Sequence, residues 1–72
     1  MSQKFRINQL VKWAWGSGEA RGRIREVFEQ RVTKRIKGTE VTRNARKSEP
    51  AYLIEQQSGG RVLKSESELK DA

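Results

Sequence analysis

Val11, Trp13 and Trp15 alternate with Lys12 and Ala14 and run directly into Gly16-Ser17-Gly18. Apolar residues at period two mark a half-buried strand, and the glycines close it with a tight turn. The pattern returns later in the chain. Ala51-Tyr52-Leu53-Ile54-Glu55 starts a strand just after Pro50, Ser58-Gly59-Gly60 supplies a hairpin turn, and Arg61-Val62-Leu63-Lys64 is the returning strand. In a chain of 72 residues, strands this short must have their edges protected, and a closed sheet does so. At this size about 60% of the unfolded surface can be buried. Cysteine is absent, so neither a disulfide nor a thiolate metal site reinforces the core. The few apolar residues, two tryptophans among them, must carry it.

The segment from Ala20 to Glu29 is ambiguous by pattern. Ile24, Val27, Phe28, Val32 and Ile36 recur at helical spacing, and Glu26, Glu29 and Gln30 are good helix formers. The same residues also fit a twisted strand with a bulge that turns both Ile24 and Val27 inward. At the C-terminal end, Ser65 and Glu68 have capping-box spacing and predict one helical turn over Ser65 to Lys70, with Leu69 closing one end of the core. Residues 1–8 are expected to be a frayed, flexible lead-in, which leaves 9–72 as one domain. The basic segment at about 30–50 then falls between strands two and three as an insertion.

The placed segments resemble a Tudor domain, one kind of SH3-like barrel. Val11-x-Trp13-x-Trp15, the glycine turn and Gly22-x-Ile24-x-x-Val27 are similar to its first half; Tyr52 to Val62 and Ser67-Glu68-Leu69 are similar to its second. A closer resemblance covers nearly the whole chain. Val32-Thr33-Lys34-Arg35-Ile36-Lys37-Gly38, Glu40-Val41-Thr42-Arg43-Asn44-Ala45 and Pro50 to Gln56 look like the hypervirulence-associated protein Tudor domains, small proteins with no established biochemical activity. The resemblance implies an all-β, small SH3-like (Tudor-type) barrel, with a long basic insertion between strands two and three and a short C-terminal helical turn. It also implies that Ala20 to Glu29 is a bent strand.

Fold analogy leaves function open. A methyl-lysine reader holds its cation in a cage of aromatic faces. Carried over position by position, Trp15 is present, but Ala20, Glu55, Ser58 and Gly60 stand where the other cage residues fall. One tryptophan encloses no quaternary ammonium, so this activity is disfavoured. Trp13, Phe28 and Tyr52 are expected in the core; Trp15, at a strand end beside a turn, is a candidate surface residue.

Catalysis has no visible basis. Histidine is absent, which removes the commonest general base and metal ligand. No catalytic residue, metal site, cofactor or small-molecule substrate is predicted, and the chain is expected not to be an enzyme. No apolar run approaches the roughly 20 residues that span a bilayer, and the N-terminus lacks the apolar centre of a signal peptide, so no membrane partner and a cytoplasmic location are expected.

Charge is more informative. Arg21 to Lys47 holds ten basic residues against three acidic ones, which accounts for the whole formal net charge of +7. Such asymmetry points to an anionic partner. Arg21, Arg23 and Arg25 occupy alternate positions and share one face of an uninterrupted strand, with Ile24 pointing the other way. With Lys34, Arg35 and Lys37 they are the candidate phosphate contacts for weak, sequence-tolerant nucleic-acid binding, and Trp15 is a candidate stacking surface. The alternative is a protein-interaction module, in which Val32, Ile36 and Val41 dock a partner chain or a second copy. Glu26, Glu29, Glu40 and Glu55 are placed to pair with the arginines across the sheet and so to reduce the free field.

Overall fold

The computed structural model describes residues 4–72. The chain is all-β: β1 (Leu10–Trp15), β2 (Gly18–Phe28), β3 (Val32–Ile36), β4 (Thr39–Arg43), β5 (Ala51–Gln56), β6 (Arg61–Ser65) and β7 (Lys70–Asp71), with a 3-10 turn over Glu66–Glu68. Five strands form one antiparallel sheet in the order β6-β5-β2-β1-β7, and β3 and β4 form a separate hairpin.

β2 carries the bend. Ile24 faces Ile54 of β5, but the next pair is Glu26 with Leu53, so Arg25 is the extra residue of a bulge. Beyond the bulge Val27 packs on the same core as Ile24. That extra residue makes the sequence imitate a helix, because it shifts the strand's period-two pattern by one place. Gly22 lets β2 and β5 approach closely, since a Cβ there would lie 2.5 Å from the Glu55 carbonyl oxygen.

Val11, Trp13, Ile24, Tyr52 and Ile54 meet on one face of the sheet, closed by Phe5 and Leu69. Phe5 corrects the expected lead-in at 1–8. It is buried, its ring meets Tyr52 edge-on at a centroid distance of 5.6 Å, and its N–H donates to the Tyr52 hydroxyl. The Asn8 N–H donates to the Ile24 carbonyl at 2.7 Å. The first three residues of that expectation lie outside the described ones. Phe28 is a second correction. It is only half-buried, because it lies past the bulge at the end of β2, and Lys34 Nζ sits over its ring at 4.9 Å.

The expected closed barrel and long insertion also differ. Among the described residues the strand ladder ends at β6 on one side and β7 on the other. The 3-10 turn carries the chain away from β6, and β7 pairs with β1 at two positions only, Val11 and Lys12, too short to seal the edge. The segment at 30–50, expected as an insertion between strands two and three, is built as β3 and β4, a folded layer of its own. Ile36 pairs with Thr39 across Lys37 and Gly38, both with positive φ, the geometry of a two-residue type I′ turn. The hairpin lies against β6, on the face opposite the main core, where Leu53 and Leu63 pair side by side. That second cover explains why Ala51 to Ile54 is buried at every position. The predicted helical turn over Ser65 to Lys70 contracts to the three residues of the 3-10 turn, with Leu69 already extended.

Candidate functional site

Trp15 is the last residue of β1 and has the parity of Val11 and Trp13, so its ring projects on the core side of the sheet, past the end of the core. Its cross-strand partner is Gly18, which offers no side chain to cover it, and Trp15 is 72% exposed. Beneath it is a groove of about 320 Å³. Trp13, Ala20 and Val62 form its apolar lining with Trp15, the Gln56 amide lies in one wall, and Lys37, Arg61 and Lys64 supply positive charge.

A second groove, about 680 Å³, runs between the tip of the hairpin and the bulged end of β2. Arg25, Arg35, Lys37 and Arg61 line it with Glu26 and Glu55. Ile36, Lys37 and Arg61 belong to both grooves, so the two adjoin there and line up as one track. The I′ turn aims Lys37 across the β5–β6 turn, where its Cε and Nζ lie 3.3 and 3.4 Å from the point a Cβ on Gly60 would occupy. Gly60 thus makes room for the lysine. Among the described residues, neither Lys37 nor Arg61 has an ion pair.

The expected arginine row is exposed but tied down. Arg25 Nε lies 2.8 Å from Glu55 Oε1, and its Nη1 donates to Asn8 Oδ1 at 2.6 Å. Arg23 donates to the Asn8 backbone carbonyl at 3.0 Å. Arg21 faces Lys12 across β1 and β2. The strand bulges at Arg25, yet Arg25 still reaches Glu55, the partner of Arg23, and both arginines reach Asn8, so these two stay together. Lys34 lies on the inner side of the hairpin, 3.7 Å from Glu26. Arg35, opposite Glu40, and Lys37 remain on the track. Val32, Ile36 and Val41 are half-buried on the hairpin's inner face, and Ile36 and Val41 border a recess beside Leu63 of β6.

Arg61 and Lys64 are the site residues that sequence reasoning missed. Both sit in the returning strand β6, outside the basic block, and nothing local sets them apart from surface cations. The signal available was positional: Arg61 follows the Gly59-Gly60 turn, which is where the hairpin tip arrives.

Two groups titrate away from their ordinary values, and both are structural. Burial, then the hydrogen bond it donates to Glu66 Oε2 at 2.7 Å, pushes the Tyr52 hydroxyl up to about 12. Burial would raise Glu68, but the Ser65 N–H together with Arg43 and Lys64 lowers it overall. Among the described residues no group of carboxylates could hold a metal ion, and no helix is long and apolar enough to cross a membrane.

The family described as hypervirulence associated proteins Tudor domain matches residues 9–69. The chain belongs to this family. No curated protein and no solved structure matches it. A Tudor-type domain is a small binding module. In this Tudor domain the groove beneath Trp15 is lined by the rings of Trp13 and Trp15, with Ala20, Gln56 and three cations around them.

Proposed function

We propose that this domain is a non-enzymatic module that binds nucleic acid weakly and with little sequence preference, along the track from Trp15 past Lys37 and Arg61 to Arg35 and Arg25. The observation that carries the reading is the junction of the two grooves at Lys37 and Arg61, where two cations without ion pairs stand beside an exposed indole. A phosphate backbone laid along such a track displaces counterions, which supplies affinity without reading bases. The contact set differs from the one expected from sequence. Arg21, Arg23 and Lys34 line neither groove, Arg25 lines one while paired with Glu55, and Arg61 is added.

Fluorescence anisotropy with labelled oligonucleotides tests this. Affinity is expected to fall steeply between about 50 and 200 mM salt, and a Lys37→Glu, Arg61→Glu double variant should weaken binding to every sequence alike and flatten the logarithmic salt slope by about 2. Absence of binding to DNA and RNA at 50 mM salt overturns the reading. The half-burial of Val32, Ile36 and Val41 against the sheet weighs against the docking of a partner chain on those residues.

A further inference from the structure

We infer that the nucleic acid is bound single-stranded, with one unstacked base lying on Trp15 and its phosphate held by Lys37 and Arg61. This rests on the nucleic-acid reading above and sharpens it.

The argument starts from the indole. A tryptophan that is 72% exposed on the core side of a sheet, in a chain with so few large apolar residues, adds little to stability where it stands. Its flank is open because Gly18 faces it and Ala20 lies next along β2. A Cβ at Gly18 would meet nothing within 4 Å. The groove below is about 320 Å³, at the lower end of small-ligand sites, and with an exposed indole on its rim it offers one flat group a face to lie on, and no room for a helix. Cations surround that flat site. Lys37 and Arg61 are without ion pairs, while Lys64 is shared with Glu68 at 3.7 Å. The matching ligand therefore carries a planar face and a negative charge a few ångströms from it. A nucleotide has both, and the Gln56 amide in the wall offers a donor and an acceptor to a base edge. An acidic peptide supplies both only where an aromatic residue stands beside an acidic one, whereas every nucleotide does.

A duplex cannot use Trp15 in this way. Inside a double helix the faces of the bases are covered by their neighbours, and only their edges reach the grooves. Trp15 can be stacked on only by a base that is out of the stack, and base-on-aromatic stacking tolerates any sequence. The continuation of the track past Arg35 and Arg25 then holds neighbouring phosphates of the same strand.

The test measures binding of the full chain at 50 mM salt to four probes of equal length: oligothymidylate, oligouridylate, the thymidylate duplex with its complement, and an abasic strand that keeps every phosphate. The expected result is tighter binding of the two single strands than of the duplex and abasic probes. Trp15→Ala should weaken only the single strands, by about 5- to 100-fold, and Trp15→Phe should restore part of the loss. The two single-stranded arms separate DNA from RNA as the source of the base. Since Trp15 lies outside the core, circular dichroism should show Trp15→Ala folded. Equal binding of all four probes, unchanged by Trp15→Ala, overturns the single-strand inference and leaves phosphate binding standing. Binding of none of them overturns both.

Discussion

Gly22 sets the spacing of the two central strands. A methyl group there would stand 2.5 Å from the Glu55 carbonyl oxygen and 2.7 Å from Ile54 Cγ2, and the oxygen belongs to a backbone fixed on both sides by strand pairing. Gly22→Ala is expected to cost about 1–3 kcal/mol, read as a lower urea midpoint. Gly18→Ala, with open space around it, should stay within about 0.5 kcal/mol of the parent. Equal changes in the two variants would show that the close approach does not govern Gly22, since the entropy of the unfolded chain alone favours alanine at both places. Tyr52 offers a second reading of local packing. It is the chain's single tyrosine, so its ionisation can be followed by absorbance alone. Its folded value of about 12 lies above the ordinary value of 10.0. The buried phenol therefore contributes stability that is complete below pH 10 and is lost as pH rises from 10 toward 12. Absorbance should change late and together with unfolding; a simple titration at pH 10 in the folded protein would contradict the buried hydrogen bond to Glu66.

The hairpin of β3 and β4 is where sequence and structure are most instructive to compare. The near-repeat of Val32-Thr33-Lys34 and Val41-Thr42-Arg43 is the signature of two facing strands. Thr33 lies opposite Thr42 with their hydroxyls 2.8 Å apart, Lys34 opposite Val41 and Val32 opposite Arg43. Neither the strands nor the turn was legible, because the segment reads as an insertion, Lys37 is an uncommon residue at positive φ and only Gly38 announces the turn. Phe5 was illegible for a different reason. Flanked by Lys4 and Arg6, it has no periodic neighbours, and its burial depends on Tyr52, 47 positions away. What fastens the hairpin is Glu68. Its Oε1 lies 3.2 Å from Arg43 Nε of β4 and accepts from the Ser65 N–H at 2.8 Å, and its Oε2 lies 3.7 Å from Lys64 Nζ of β6. Because these partners lower its titration, its contribution is present above the unfolded carboxylate value and fades as pH falls through the lower folded one. Glu68→Gln should destabilise by about 1 kcal/mol at neutral pH, and the difference from the parent should shrink in acid. Hydrogen exchange should speed up first in the β4 amides. A gap that widened as pH fell would reverse the assigned sign.

For the molecule as a whole, the candidate site was readable as charge but not as a place. The basic block announced an anionic partner, and the strand alternation placed Trp15 at a surface. The track itself is formed by residues from β1, the hairpin tip and β6, which converge only once the hairpin folds over Leu53 and Leu63. The charge that serves such a track also works against the fold. Among the described residues five ion pairs span 2.8 to 3.8 Å on the surface, each worth roughly 0–1 kcal/mol, whereas the net +7 repels itself across a body of 29 × 28 × 21 Å. Salt at about 0.1 M screens beyond roughly 10 Å, and 1 M beyond roughly 3 Å. The long-range repulsion is therefore removed well before the short pairs are. Raising sodium chloride from about 0.05 to 0.5 M should raise thermal stability, by about 4–8 °C for each kcal/mol of repulsion relieved in a domain of this size, while weakening nucleic-acid binding over the same range. The Lys37→Glu, Arg61→Glu variant, with a net charge lower by four, should gain less from salt. A melting temperature that instead falls with salt would mean the ion pairs outweigh the repulsion, and that the track is less positive than its residues suggest.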